Sequence, residues 1–205
     1  PVTTLVNVPF TIVVKGDSPV KTMADLTALI RAKHGKATYG APTTSSIAIT
    51  GMYLDEIQAT ATQVPYKAAQ EALRDIETGN VDFLILDLTG ALGALNRGSV
   101  RAIAMLGDER FPSFPDVPTA REQGSKNVHW IAEFYALMPA GTPPAYVAKV
   151  EGLLNEILKR DETRAFLLKA GGMPYPGTSQ LLHERMLATI EKWKRAATIG
   201  KIPQL

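Results

Sequence analysis

One run of residues constrains this chain more than any other. Val81-Asp82-Phe83-Leu84-Ile85-Leu86 is its most apolar stretch, preceded by the stop Gly79-Asn80 and closed by Asp87. Its length suits a strand, and its continuity predicts burial on both faces, the habit of a parallel sheet. The neighbouring segments agree. Residues 9–15 (PFTIVVK), 36–39, 62–64 and 100–106 read as further strands. Helix-length segments stand between them. Residues 22–32 put Met23, Leu26, Leu29 and Ile30 on one stripe, with Thr22 and Asp25 set as a capping box. Residues 67–78 gather Ala68, Ala69, Ala72, Leu73 and Ile76 on one side, and residues 88–95 form a small-residue helix. From residue 9 to residue 106 strand and helix alternate in short steps. That predicts an α/β domain with a largely parallel sheet.

The texture changes at Gly107. Phe111-Pro112-Ser113-Phe114-Pro115-Asp116-Val117-Pro118 is a proline-rich loop, and Thr119 is expected to cap a short helix ending at Gly124. Residues 129–138 (HWIAEFYALM) form an aromatic extended segment. Pro139-Ala140-Gly141-Thr142-Pro143-Pro144 breaks it and leads into a helix reaching about Arg160, with Thr142 suited to the cap. Asp161 caps a short helix that ends at Gly171-Gly172. The last helix starts at Thr178 or Ser179 and runs to about Ile199. The C-terminal third is therefore helical.

Composition serves mainly to exclude. Of 205 residues, 45 % are apolar and 20 % charged, an ordinary globular balance with room for a sizeable core. A net charge of +2 without a basic block argues against nucleic-acid binding. No run is long and apolar enough to suggest a membrane span, and no signal peptide is seen. The chain starts at Pro1 without a Met, as a processed or trimmed form would. The absence of cysteine removes disulfides, thiol nucleophiles and zinc–thiolate sites. His34, His129 and His183 lack metal-ligand spacing, and His129 has no partner at motif spacing to make it a base. Trp130 and Trp193 read as packing residues. Lys192, Lys194, Arg195 and Lys201 read as a solvated face. No hydrolase elbow, P-loop, zincin or EF-hand pattern is present. Neither cofactor nor metal is expected, and the chain does not read as an enzyme.

The chemistry concentrates in residues 36–54, KATYGAPTTSSIAITGMYL. Here a strand ends in Gly40, Ala41 and Pro42, four hydroxyl residues follow (Thr43, Thr44, Ser45, Ser46), and an apolar helix begins. The first turn of a helix has unpaired N–H groups and the positive end of the dipole. Small residues let an anion approach those donors, so the stretch reads as a carboxylate or phosphate site. The plainer alternative is that Thr43 or Thr44 only caps the helix. Asp87 lies at the end of another strand, and in open α/β sheets ligands sit at such carboxyl ends.

The order of these landmarks resembles a known family. Tyr39-Gly40 with Thr44-Ser45-Ser46, Val64-Pro65-Tyr66-Lys67, Gly79-Asn80-Val81-Asp82 with the strand ending at Asp87, Phe114-Pro115-Asp116-Val117-Pro118-Thr119 and Pro139-Ala140-Gly141-Thr142-Pro143 occur in the order found in the extracytoplasmic solute-binding proteins of tripartite tricarboxylate transporters, the Bug family. The resemblance implies a type II periplasmic-binding-protein fold, with a small carboxylate held between two lobes and handed to membrane permease subunits. It implies a periplasmic location. It also implies that part of the other lobe is missing at the N-terminal side, with residues 9–138 forming the ligand-binding lobe and the helical residues 139–205 divided between the lobes. Self-association through uncovered helix faces is then expected. Carried onto this chain, the ligand-binding residues are Gly40, Ala41, Thr43, Thr44, Ser45, Ser46, Tyr66 and Asp87, with Phe134 and Tyr135 as an aromatic wall. The chain departs from the family at its shortened turn Ala41-Pro42-Thr43, where Pro42 removes a donor, and at Ile47, where members often carry His. An α/β hydrolase or transferase using Ser45, Ser46 or Asp87, or an interaction domain without ligand, are the alternatives.

Overall fold

The structure, a computed structural model, describes residues 1–200 and Ile202. Lys201 lies outside the described residues. By contacts the chain divides into two units. A sheet unit comprises Pro9–Ile131 and the chain end from Arg195. A helical unit comprises Pro1–Val8 and Ala132–Lys194. The break thus falls at Ile131/Ala132, where residue 138 was expected, and the last helix contributes its end to the sheet unit.

The sheet unit is built on β1 (Thr3–Lys15), α1 (Met23–Ala32), β2 (Thr38–Ala41), α2 (Thr44–Glu56), β3 (Thr62–Pro65), α3 (Ala69–Thr78), β4 (Phe83–Asp87), α4 (Leu88–Asn96) and β5 (Val100–Met105). The order across the sheet is β3-β2-β4-β1-β5. β2 pairs in parallel with β3 and with β4, Gly40 lying opposite Val64 on one side and Leu84 on the other. β1 is antiparallel to β4 and to β5, with Phe10 opposite Asp87 and Thr11 opposite Met105. The α/β class holds, but the sheet is mixed where a largely parallel one was expected. The reason is physical. A continuous apolar run reports burial on both faces and carries no information on strand direction.

The apolar run of β4 lies at the centre of the core. Phe83, Leu84 and Ile85 are fully buried, and each such side chain contributes about 1.5–3 kcal/mol on leaving water. Tyr39 stacks on Phe83 at 5.8 Å between centroids, and Tyr53 of α2 meets Phe83 edge-on at 6.4 Å. The Tyr53 hydroxyl lies 2.9 Å from Thr27 Oγ1 and 3.3 Å from the Met23 carbonyl, so buried aromatic and polar contacts together tie α2 to α1. The capping box of α1 forms as expected, with the Asp25 N–H donating to Thr22 Oγ1 and the Thr22 N–H to Asp25. Gly79 ends α3 in the left-handed region, at φ +83°.

Three local expectations fail, the first being that Asp161 does not cap its helix: it is the first helical residue, and Arg160 holds the cap position without a side-chain cap bond. Thr119 does head a reciprocal cap with Glu122, but residues 119–124 form only a hydrogen-bonded turn. Glu122 is held by Arg110, whose Nε lies 3.0 Å from both carboxylate oxygens, and Gly124 at φ +89° turns the chain away. Thr142 does not cap the next helix. Its hydroxyl donates to the Pro139 carbonyl, and Pro143 occupies the cap position.

In the helical unit the first part of β1 pairs with β6 (Ile131–Ala136) and with β7 (Met173–Pro174). Around them stand α5 (Pro144–Leu158), α6 (Asp161–Lys169) and α7 (Ser179–Ile199). Thr3 Oγ1 donates within this unit and receives the Gly177 N–H, and Arg185 reaches Thr4 Oγ1 at 2.6 Å, lies 3.4 Å from Glu133 and stacks over Tyr175.

Candidate functional site

The carboxyl ends of β2 and β4 lie side by side in the sheet unit. The connection from β2 leaves outward to β3, whereas that from β4 leaves the other way, past β1 to β5. The gap between the two ends is therefore a topological switch point, the place where open α/β sheets hold ligands. Each of these strands feeds a helix almost directly. Only Pro42 and Thr43 separate β2 from α2, and α4 follows β4 without a break. Two helix N-termini thus begin at the ends of adjacent strands.

The chemistry of the α2 terminus follows from its cap. Thr43 sits in extended conformation, and its Oγ1 accepts from the Ser46 N–H at 3.1 Å. The same oxygen lies 2.9 Å from Ser46 Oγ. Ser46 is fully buried, so its hydroxyl faces its own helix cap and not solvent. Thr43 and Thr44 are exposed and Ser45 half-buried. The N–H groups of Thr44 and Ser45 have no acceptor four residues back, as at any helix start. They and the Thr44 and Ser45 hydroxyls are the donors this terminus offers.

Asp87 caps α4 as Thr43 caps α2. Its Oδ1 accepts from the Gly90 N–H at 2.9 Å and from the Thr89 hydroxyl. The capping role weighed against a ligand role is thus present, on a half-buried carboxylate at the switch point. The N–H groups of Leu88 and Thr89 add first-turn donors that the sequence reading did not name. An Asp directly between an apolar strand and a small-residue helix was the available signal.

Gly40 and Ala41 are strand residues rather than the start of a turn, and both are buried. At Gly40 a Cβ would run into Leu84 Cδ2 and approach Tyr66 Cε2 to 3.2 Å. Glycine is therefore required here by packing against β4. The Tyr66 hydroxyl donates to Asp75 Oδ2 at 2.6 Å, and burial followed by this carboxylate pushes its pKa up to about 12. Tyr66 is a neutral donor already committed to α3. Phe134 and Tyr135 lie on β6 in the helical unit and are 57 % and 42 % exposed. The sheet unit brings together Gly40, Ala41, Thr43–Ser46, Tyr66 and Asp87. Phe134 and Tyr135 are not part of that unit.

Comparison with known proteins bears on the family and the fold. Residues 1–202 match the model of the tripartite tricarboxylate transporter family receptor. A UPF0065 protein of Cupriavidus necator is 29% identical over 194 residues, covering 93% of this chain and 58% of its own length. The chain thus spans less than three fifths of that relative. Among solved structures, Rpa4515 of R. palustris with adipate superposes with a TM-score of 0.87 at 26% identity, covering 100% of this chain and 69% of that one. The periplasmic binding protein BugD shares the fold at a TM-score of 0.81 and 22% identity, covering 100% of this chain and 70% of its own.

Proposed function

This chain belongs to the tripartite tricarboxylate transporter receptor family, and on that premise we propose that it binds a small carboxylate outside the cytoplasm for delivery to a tripartite-type membrane transporter. The observation that carries the reading is the pair of helix N-termini at the switch point. A carboxylate placed there meets the first-turn N–H groups and hydroxyls of Thr44 and Ser45 from one side and the N–H groups of Leu88 and Thr89 from the other. Both helix dipoles favour its charge. The adipate held by the similar R. palustris protein supports a linear dicarboxylate as the first ligand to try.

No bond is made or broken in this reading. The enzyme alternative has less behind it. Ser46 is buried and tied to Thr43, and the His129–Asp108 pair lies beyond the end of β5, which β1 separates from β4 and the switch point. Delivery to permease subunits follows from family membership and is part of the proposal.

The test is titration of adipate into isotope-labelled protein, followed by amide NMR. The signals of Thr44, Ser45 and Thr89 should move saturably, with adipate unconsumed. Because the chain spans only part of its relatives' length, we expect a dissociation constant weaker than micromolar. Persistence of the same shifts and affinity in Thr44→Ala/Ser45→Ala would sink the assignment of the site, and consumption of the ligand would sink the binding-protein reading.

A further inference from the structure

A second cleft in the sheet unit lies just beyond the carboxyl end of β5. It encloses about 470 Å³, within the usual range for small-molecule sites. Its walls include Gly107, Asp108, Arg121, Gly124, Lys126 and His129, none of which takes part in the carboxylate site described above.

The walls are braced from behind. Glu122 is gripped by Arg110 and closes the turn on Thr119, so the carboxylate next in sequence to Arg121 is neutralised away from the cleft. Gln123 bridges the Met23 N–H and the Ile103 carbonyl, pinning the turn to α1 and β5. Glu56, at the end of α2, accepts from the Ser125 hydroxyl and from the Lys126 and Asn127 N–H groups. Glu122, next to Arg121 in sequence, and Glu56, bonded to the Lys126 N–H, are thus already spoken for by donors that hold the backbone.

The charge that remains is positive. Asp108, the acid on the cleft wall, is paired with His129 Nε2 at 3.0 Å. Arg31, Arg97, Arg101 and Arg110 of the same unit each donate to a protein oxygen. The Arg121 and Lys126 side chains have no hydrogen-bond or ion-pair partner among the described residues, although both line the cleft. A guanidinium fork and an ammonium on one braced concavity suit an oxyanion that accepts from several directions.

We propose that this cleft binds the phosphate group of a small molecule, with Arg121 and Lys126 as its charged contacts. Carboxylate binding at the switch point is a separate event, and either site can fail without the other. The test is calorimetric and NMR titration of the 205-residue chain with inorganic phosphate and, in a second arm, with a simple phosphomonoester, at constant ionic strength. We expect saturable binding with amide shifts at Gly107, Gly124 and Ser125, and the tighter arm tells free phosphate from an organic phosphate. Arg121→Gln/Lys126→Gln should weaken it about tenfold or more, with the circular dichroism spectrum and adipate shifts unchanged. Lack of saturation in both arms, unchanged affinity in the double variant, or shifts confined to Thr44, Ser45 and Thr89 would overturn the proposal.

Discussion

At the scale of the residue, Asp87 caps a helix and stands at the proposed carboxylate site, and the two roles pull in opposite senses. Its cap on α4 is worth about 1 kcal/mol to stability. Its charge stands at the place where a carboxylate would bind. Two like charges about 4 Å apart repel by roughly 1 kcal/mol in water and more near a protein surface. Asn caps as well as Asp and carries no charge. Asp87→Asn is therefore expected to leave thermal stability nearly unchanged and to tighten adipate about fivefold or more, since about 1 kcal/mol of repulsion is removed. Calorimetry on the two proteins checks it. Weaker adipate binding in the variant would show Asp87 acting as an acceptor for the ligand or an ordered water.

At the scale of the element, the α2 terminus separates capping from binding. Thr43 Oγ1 is engaged with Ser46, whereas Thr44 is exposed at the first helical position. Thr43→Ala should cost about 1 kcal/mol in chemical denaturation. Thr44→Ala should cost little stability, because its hydroxyl is not part of the cap, and should weaken carboxylate binding. Equal stability losses in the two variants would contradict this division. The same helix shows what was legible in the sequence. The strand–turn–hydroxyl–helix order located the terminus, and periodicity located α1 and α3. Strand directions were not legible, because β1 enters the sheet antiparallel between β4 and β5 with the same apolar pattern a parallel strand would have. Nor was the burial of Ser46, since one position of helical rotation decides which hydroxyl faces the cap. The second cleft was invisible for a related reason. Asp108 and His129 are far apart in sequence and meet only because Met105 and Thr119 are brought together beside the end of β5.

At the scale of the whole molecule, the two units differ in how well they cover their own apolar surface. Among the described residues, every large hydrophobic side chain that is 42 % exposed or more lies between Phe134 and Ile190, all within the helical unit. Leu153 and Ile157 stand one helical turn apart on α5, and Leu187 and Ile190 do so on α7, each between 44 % and 54 % exposed. Apolar faces of this kind associate in water, and the driving force grows with the area they hide. The helical unit is therefore expected to self-associate, visible as a sedimentation coefficient that rises with protein concentration. Because these side chains are about half exposed, replacing all four by Ser should cost no more than about 2 kcal/mol in all, surface substitutions usually falling within about 0.5 kcal/mol each. The same replacements should abolish the concentration dependence. A parent chain that sediments as a monomer over the whole concentration range would refute the expectation. A four-Ser variant that unfolds well below the parent would show that these faces are packed within the unit and are not open surface.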